Sequence, residues 1–127
     1  EILDTVGCGA SGGVKLDGIL SPADCLSDGI IFTLKKKGYT PSNIPVITGQ
    51  DATAKALQNV KEGYQAMTIY KSRDGLHDAV IDMIRSISSG KKANINDTTT
   101  YNNGVKDMDS FPCSPELIDR SNLAKLL

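Results

Sequence analysis

The chain has 127 residues, room for one small domain with an adequate core. Its 14 basic and 15 acidic residues leave a net charge of −1, which argues against steering toward nucleic acid or an anionic membrane. No apolar run approaches the roughly 20 residues of a membrane-spanning helix; three cysteines, one histidine and no tryptophan are too few for a disulfide framework, a Cys/His zinc site or aromatic stacking by this chain alone.

Glu1 precedes a short apolar stretch and reads as a mature, trimmed or internal start. Gly7-Cys8-Gly9-Ala10-Ser11-Gly12 matches the GxGxxG fingerprint, which binds a pyrophosphate only where a helix begins at its second glycine. The sequence that follows, Gly13-Val14-Lys15-Leu16-Asp17-Gly18, is too rich in glycine to be that helix, so a flexible loop is expected. Leu16 to Leu20 reads as a brief strand. Ser27 or Asp24 can cap the next helix, which carries Leu26, Ile30, Ile31 and Leu34 and closes on Lys35-Lys36-Lys37-Gly38.

Pro41 to Pro45 is a loop into the strand Val46-Ile47-Thr48. Asp51 can cap a helix with Ala54, Leu57 and Val60 on its buried face, ending at Gly63. Gln65 to Tyr70 reads as a strand. Asp74 to Ser89 is the best helix in the chain, with Leu76, Val80, Met83, Ile84 and Ile87 spaced for one face. Strand–helix alternation with short connections predicts an α/β fold with parallel pairing. Beyond Gly90, Thr98 to Tyr101 is β-prone and Asn102-Asn103-Gly104 is a turn. The tail through Pro112, Pro115 and Ile118 to Leu127 finds no partner in this rhythm and reads as a segment that packs elsewhere.

Three apolar runs end on polar residues: Leu20-Ser21-Pro22-Ala23-Asp24, Val46-Ile47-Thr48-Gly49-Gln50-Asp51 and Met67-Thr68-Ile69-Tyr70-Lys71. Ligands of open parallel sheets bind at the carboxyl ends of strands, so these tips outline one rim of a site. Asp51 reads both as a helix cap and as a carboxylate for polyol hydroxyls, two roles one group can combine. Lys71 is either a solvated surface charge or a donor at the same rim. Asp24 reads as a cap or a hydrogen-bonding group on the hinge side. Ala23 offers a polar ligand nothing. Cys25 is a small residue at a helix start; with no histidine–acid pair evident to activate it, a cysteine hydrolase is not expected.

The phrases Ile19-Leu20-Ser21-Pro22-Ala23-Asp24, Gly29-Ile30-Ile31, Lys37-Gly38-Tyr39 and Pro45-Val46-Ile47-Thr48-Gly49-Gln50-Asp51-Ala52 resemble the second half of xylose-type sugar-binding proteins. The likeness continues through Gln65 to Lys71 and Tyr101-Asn102-Asn103-Gly104-Val105-Lys106-Asp107, covering about residues 14–110. These proteins are the substrate-binding components of bacterial ABC importers, two α/β lobes around a hinge. The resemblance implies a parallel sheet flanked by helices, part of the C-terminal lobe of a type I periplasmic binding protein fold. Residues 1–95 would form strand–helix units, and residues 96–127 a hinge-crossing strand and turn with a C-terminal tail.

Carried over residue by residue, the resemblance makes Asp51 and Lys71 sugar contacts, with Asp24 beside them. Ala23 stands where the family places an asparagine contact, Cys25 where a Gly or Ala is common, and Ser72 where a proline is frequent. Family members are much longer, so the N-terminal lobe would be a missing partner. The implied ligand is a pentose or hexose such as a xylose-like aldose. An ABC permease or membrane sensor would read the closed state, with no nucleic acid, no cofactor, no metal and no catalysis. The implied location is periplasmic or extracellular, with a lipoprotein anchor as one arrangement. Two rivals share these residues: a degenerate relative acting as an interaction or sensor subunit, and the effector lobe of a LacI-type repressor.

Overall fold

A computed structural model describes residues 2–127; Glu1, read above as a trimmed or internal start, lies outside them. The chain divides into two compact units. One comprises the residues up to Tyr70 together with Glu116–Leu127, and the other Lys71–Pro115.

In the first unit, a short helix α1 (Ile2–Thr5) leads into the glycine-rich loop. Among the described residues no strand precedes that loop and no helix starts within it, so the dinucleotide fingerprint lacks its structural context. The loop instead closes on itself, with the Val14 N–H donating to the Gly7 carbonyl at 3.0 Å. Strand β1 (Gly18–Ile19) then pairs in parallel with β2 (Val46–Ile47), placing Gly18 opposite Val46 and Ile19 opposite Ile47. Between them runs α2 (Asp24–Lys36). Its apolar spacing turns Ile31 and Leu34 inward onto Ile47 and Tyr39, the centre of one core cluster. Gly38, at φ +86°, takes the chain out of the helix as its position after three lysines predicts.

Helix α3 (Ala54–Glu62) buries Ala56, Leu57, Asn59 and Val60, and ends on left-handed Gly63. Its cap is the Thr53 hydroxyl, which accepts from the Ala56 N–H at 3.2 Å. Asp51, expected to cap this helix, sits two residues too early and at positive φ, outside the helix path. The expected caps of α2 fail for a similar reason. Asp24 is the first helical residue and Ser27 lies within the helix, so the N-cap falls on Ala23, with no side-chain bond.

Strand β3 (Met67–Tyr70) pairs antiparallel with β4 (Glu116–Asp119), in register Met67↔Asp119 to Tyr70↔Glu116. The expectation that the tail leaves to pack elsewhere is therefore corrected. Ile118 is fully buried and Leu123, in a 3-10 turn (Leu123–Lys125), nearly so. Both pack on Leu57 and Val60 to make the second core cluster. Residues 116–127 thus belong to the first unit.

After β4, Asp119 accepts from the Ser121 hydroxyl at 2.6 Å and the Ser121 N–H at 2.7 Å. These bonds, the hydroxyl foremost, hold its carboxyl below the ordinary aspartate range. Asp97 is lowered likewise, first by the Thr99 N–H and then by Thr100. A group with a depressed folded pKa contributes its stability above the unfolded value and loses it as pH falls through the folded one. Thermal midpoints should thus hold from pH 7 to about 5 and drop below about pH 4. Asp119→Asn should narrow the gap between melts at pH 6 and pH 3; an unchanged gap would discount this carboxylate.

In the second unit, helix α4 (Arg73–Ser88) is capped by the Ser72 hydroxyl, which accepts from the Gly75 N–H at 3.0 Å. None of its residues is buried. Residues 97–110 form a loop tied by the Asp97–Ser110 and Asn102–Asp107 bridges. The predicted turn forms at its tip, where the Asn102 side chain accepts from the Gly104 N–H at 2.8 Å.

Candidate functional site

The first unit gathers two of the three polar strand tips around Asp24. This carboxylate is fully buried. Oδ1 accepts from Gln65 Nε2 at 3.0 Å, Oδ2 accepts from the Thr53 N–H at 2.9 Å, and Thr68 Oγ1 reaches both oxygens at 2.9 and 3.0 Å. The Asp24 N–H in turn donates to the Gln50 carbonyl at 2.9 Å. A buried charge is tolerated only where such donors replace its water. Asp24 is therefore the hub that joins the start of α2, the loop after β2 and strand β3, and it lies out of reach of solvent.

A second clasp lies alongside. Thr48 Oγ1 accepts from the Ser21 N–H at 2.9 Å and donates to the Ser21 carbonyl at 3.0 Å, fastening the ends of β1 and β2. Ser27 Oγ, also fully buried, lies 2.8 Å from the Thr48 carbonyl and 2.9 Å from Ser21 Oγ. Gly49 sits between the two clasps, and its identity is set by space: a Cβ there would fall 2.2 Å from Asp24 Oδ1 and 2.3 Å from Gln65 Nε2.

Asp51 is exposed, and the backbone that presents it is unusual. Its φ is 106° and that of Ala52 is 50°, the only non-glycine positive values among the described residues. Conformations of this kind disfavour L side chains by about 1–3 kcal/mol each and persist only where their surroundings over-determine them. Three consecutive amides do so here. The Asp51 N–H donates to the Ile69 carbonyl at 2.8 Å, the Ala52 N–H to Thr68 Oγ1 at 3.1 Å, and the Thr53 N–H to Asp24 Oδ2 at 2.9 Å. Each donor is met on β3 or on the buried hub.

Lys71 is exposed and follows β3 directly in the chain, as the first residue of the second unit. Ala23 is the extended N-cap of α2 at φ −154° and ψ 148°. An Asn or Ser at such a position typically adds about 1 kcal/mol through its cap bond. Among the described residues all three cysteines are free thiols, Cys8 buried and Cys25 exposed.

Gln65, Thr68, Thr53 and Gly49 are the parts of this arrangement that sequence reasoning missed. A signal was present for two of them. Gln65 and Thr68 are polar residues in an otherwise apolar strand, and a buried polar group implies a partner. Which partner it is depends on Asp24, more than 40 positions earlier.

A family model described as periplasmic binding protein domain matches residues 9–92. The multiple sugar-binding periplasmic receptor ChvE of Rhizobium radiobacter is 37% identical over 114 residues, which make up 88% of this chain and 32% of the receptor. The multiple sugar-binding periplasmic protein SbpA of Azospirillum brasilense is 38% identical over 113 residues, 87% of this chain and 31% of that protein. An ABC transporter solute-binding protein of Clostridium phytofermentans, solved with bound β-D-glucose, superposes with a TM-score of 0.85 at 31% identity. That likeness covers 98% of this chain and 37% of the solved one. The chain thus spans about a third of the length of the relatives it matches.

Proposed function

The chain belongs to the periplasmic binding protein domain family, and on that premise we propose that it forms part of the C-terminal lobe of a monosaccharide receptor serving an ABC importer. The observation that carries this reading is the left-handed Asp51–Ala52 step, which is held by three amides and exposes a carboxylate just after β2. Strain maintained at a strand's carboxyl end is what a binding site shows and a plain connection lacks. Asp51 accepts sugar hydroxyls, Lys71 donates to them, and closure of a second lobe excludes water. Residues 96–110 run near the hinge between lobes. The ligand is an aldose, pentose or hexose, in a periplasmic or extracellular compartment. An ABC permease or a membrane sensor reads the closed form, and the role is binding without catalysis.

The test is calorimetric titration of D-glucose and D-xylose into the protein carrying this chain at its gene's full length. A hydrogen bond to a charged group contributes about 1.5–3 kcal/mol, so Lys71→Ala and Asp51→Asn should each weaken binding by about tenfold or more. Unchanged Kd values in both variants would remove these residues from the site. The second reading, a relative that no longer binds sugar and serves as a sensor subunit, draws on Ala23 alone. It would take precedence if the parent protein gave no heat with either sugar.

A further inference from the structure

The hub carboxylate has a use beyond holding strands together. We propose that Asp24 is a positioning residue for the binding site, acting on Asp51 through the backbone that lies between them. The reasoning rests on the sugar-binding role proposed for Asp51, but its geometry stands apart from that role.

Two short routes connect Asp24 to the strained step. In one, Asp24 Oδ2 accepts the Thr53 N–H and anchors the residue that ends the left-handed pair. In the other, Thr68 Oγ1 donates its proton to Asp24, which leaves the oxygen's lone pairs to accept the Ala52 N–H at 3.1 Å. A hydroxyl has one proton, so the carboxylate decides which way Thr68 points. With an amide at this position one acceptor oxygen is replaced by an NH2 donor, which faces either the Thr53 N–H or Thr68 Oγ1, and the Ala52 amide loses an oriented partner. Gln65, itself buried, braces the carboxylate by donating at once to Oδ1 and to the Met67 carbonyl, both at 3.0 Å. The contact from the Asp51 N–H to the Ile69 carbonyl does not involve Asp24. Losing the hub would therefore free the Ala52–Thr53 side of the step while the Asp51 amide stays on β3, which changes how the backbone presents Asp51.

Two readouts test this, one with sugar and one without. In the 127-residue chain, Asp24→Asn should speed hydrogen exchange of the Ala52 and Thr53 amides at least tenfold, while the Ile31 and Val60 amides keep their protection. In the full-length protein the same variant should weaken sugar binding about tenfold per folded molecule. Adding Ala52→Gly, which accepts positive φ without strain, should restore much of that affinity. Thr68→Val removes the hydroxyl relay while sparing the carboxylate, and it should show the same pattern where Asp24→Asn does not fold. Equal exchange acceleration across the whole core would overturn the proposal, as would a loss of affinity that Ala52→Gly does not recover, since Asp24 would then act only on global stability. A parent that binds neither sugar refutes the functional reading, and the exchange data still judge the positioning role.

Discussion

Gly49→Ala should destabilise the first unit by more than about 3 kcal/mol, or prevent it from folding. Gly49 is not at positive φ, so conformational freedom is not what the position requires. The requirement is close approach. A methyl group there would lie 2.2 Å from Asp24 Oδ1, 2.3 Å from Gln65 Nε2 and 3.2 Å from Ser27 Oγ. None of these can move into solvent, because Asp24, Ser27 and Gln65 are all buried. Relief would mean pulling the carboxylate away from Thr53, Thr68 and Gln65 together. Bonds to a charged group are worth about 1.5–3 kcal/mol, and a buried carboxylate stripped of partners is worse than one never buried. Gly29→Ala supplies the contrast: the site is open, within α2, and the change should stabilise by roughly 0.5–1 kcal/mol. Denaturant midpoints of the two variants decide the matter, and a Gly49→Ala protein within 1 kcal/mol of the parent would show that the hub can relax.

Ile118→Ala should remove about 3 kcal/mol, within the 2–5 kcal/mol usual for such truncations in a core. Ile118 has no exposed surface and meets Leu57, Val60 and Leu123, with Ala52, Tyr70 and Leu126 packed at the edges. Its neighbour Leu117 points the other way along the strand and is half exposed, so Leu117→Ala should change stability by less than about 1 kcal/mol. The difference between these adjacent positions is the sharpest check on the β3–β4 register. A one-residue slip would exchange their roles. Similar losses in both variants would overturn the pairing.

Much of the fold could be read from residue patterns because its signals are local. Ile31 and Leu34 announce the inner face of α2, Gly38 and Gly63 announce helix ends, and Val46-Ile47 reads as a strand wherever it is placed. β4 could not be read that way. Glu116-Leu117-Ile118-Asp119 follows two prolines, and its partner lies upstream of the entire second unit. Apolar spacing says nothing about a pairing so remote. The same limit applies to the site. Asp51 and Lys71 stand out as polar tips at strand ends, and both are exposed. Asp24 resembles them in sequence, but Gln65, just before β3, and Thr68, within it, turn it inward and give it a different task. Asp51 is the cap that the sequence suggests for α3, and Thr53 is the cap that forms. Positive φ at Asp51 and Ala52 decides between them, and backbone handedness at a non-glycine residue leaves no trace in composition.

Tyr70 and Glu116 face each other in the β3–β4 ladder, so the chain leaves the first unit and re-enters it at neighbouring points. In polymer terms, residues 71–115 are one long loop closed by a short antiparallel clamp. Closure entropy rises only with the logarithm of loop length, and a segment this long opposes closure by about 2 kcal/mol more than a five-residue turn would. The ladder can thus carry a large excursion at small thermodynamic expense. The effect on kinetics is larger: β3 and the Leu57–Val60 surface must wait, unpaired, until residues on the far side of the loop arrive. During that wait the strand's edge is open to any other extended chain, which exposes β3 to mispairing while the protein folds.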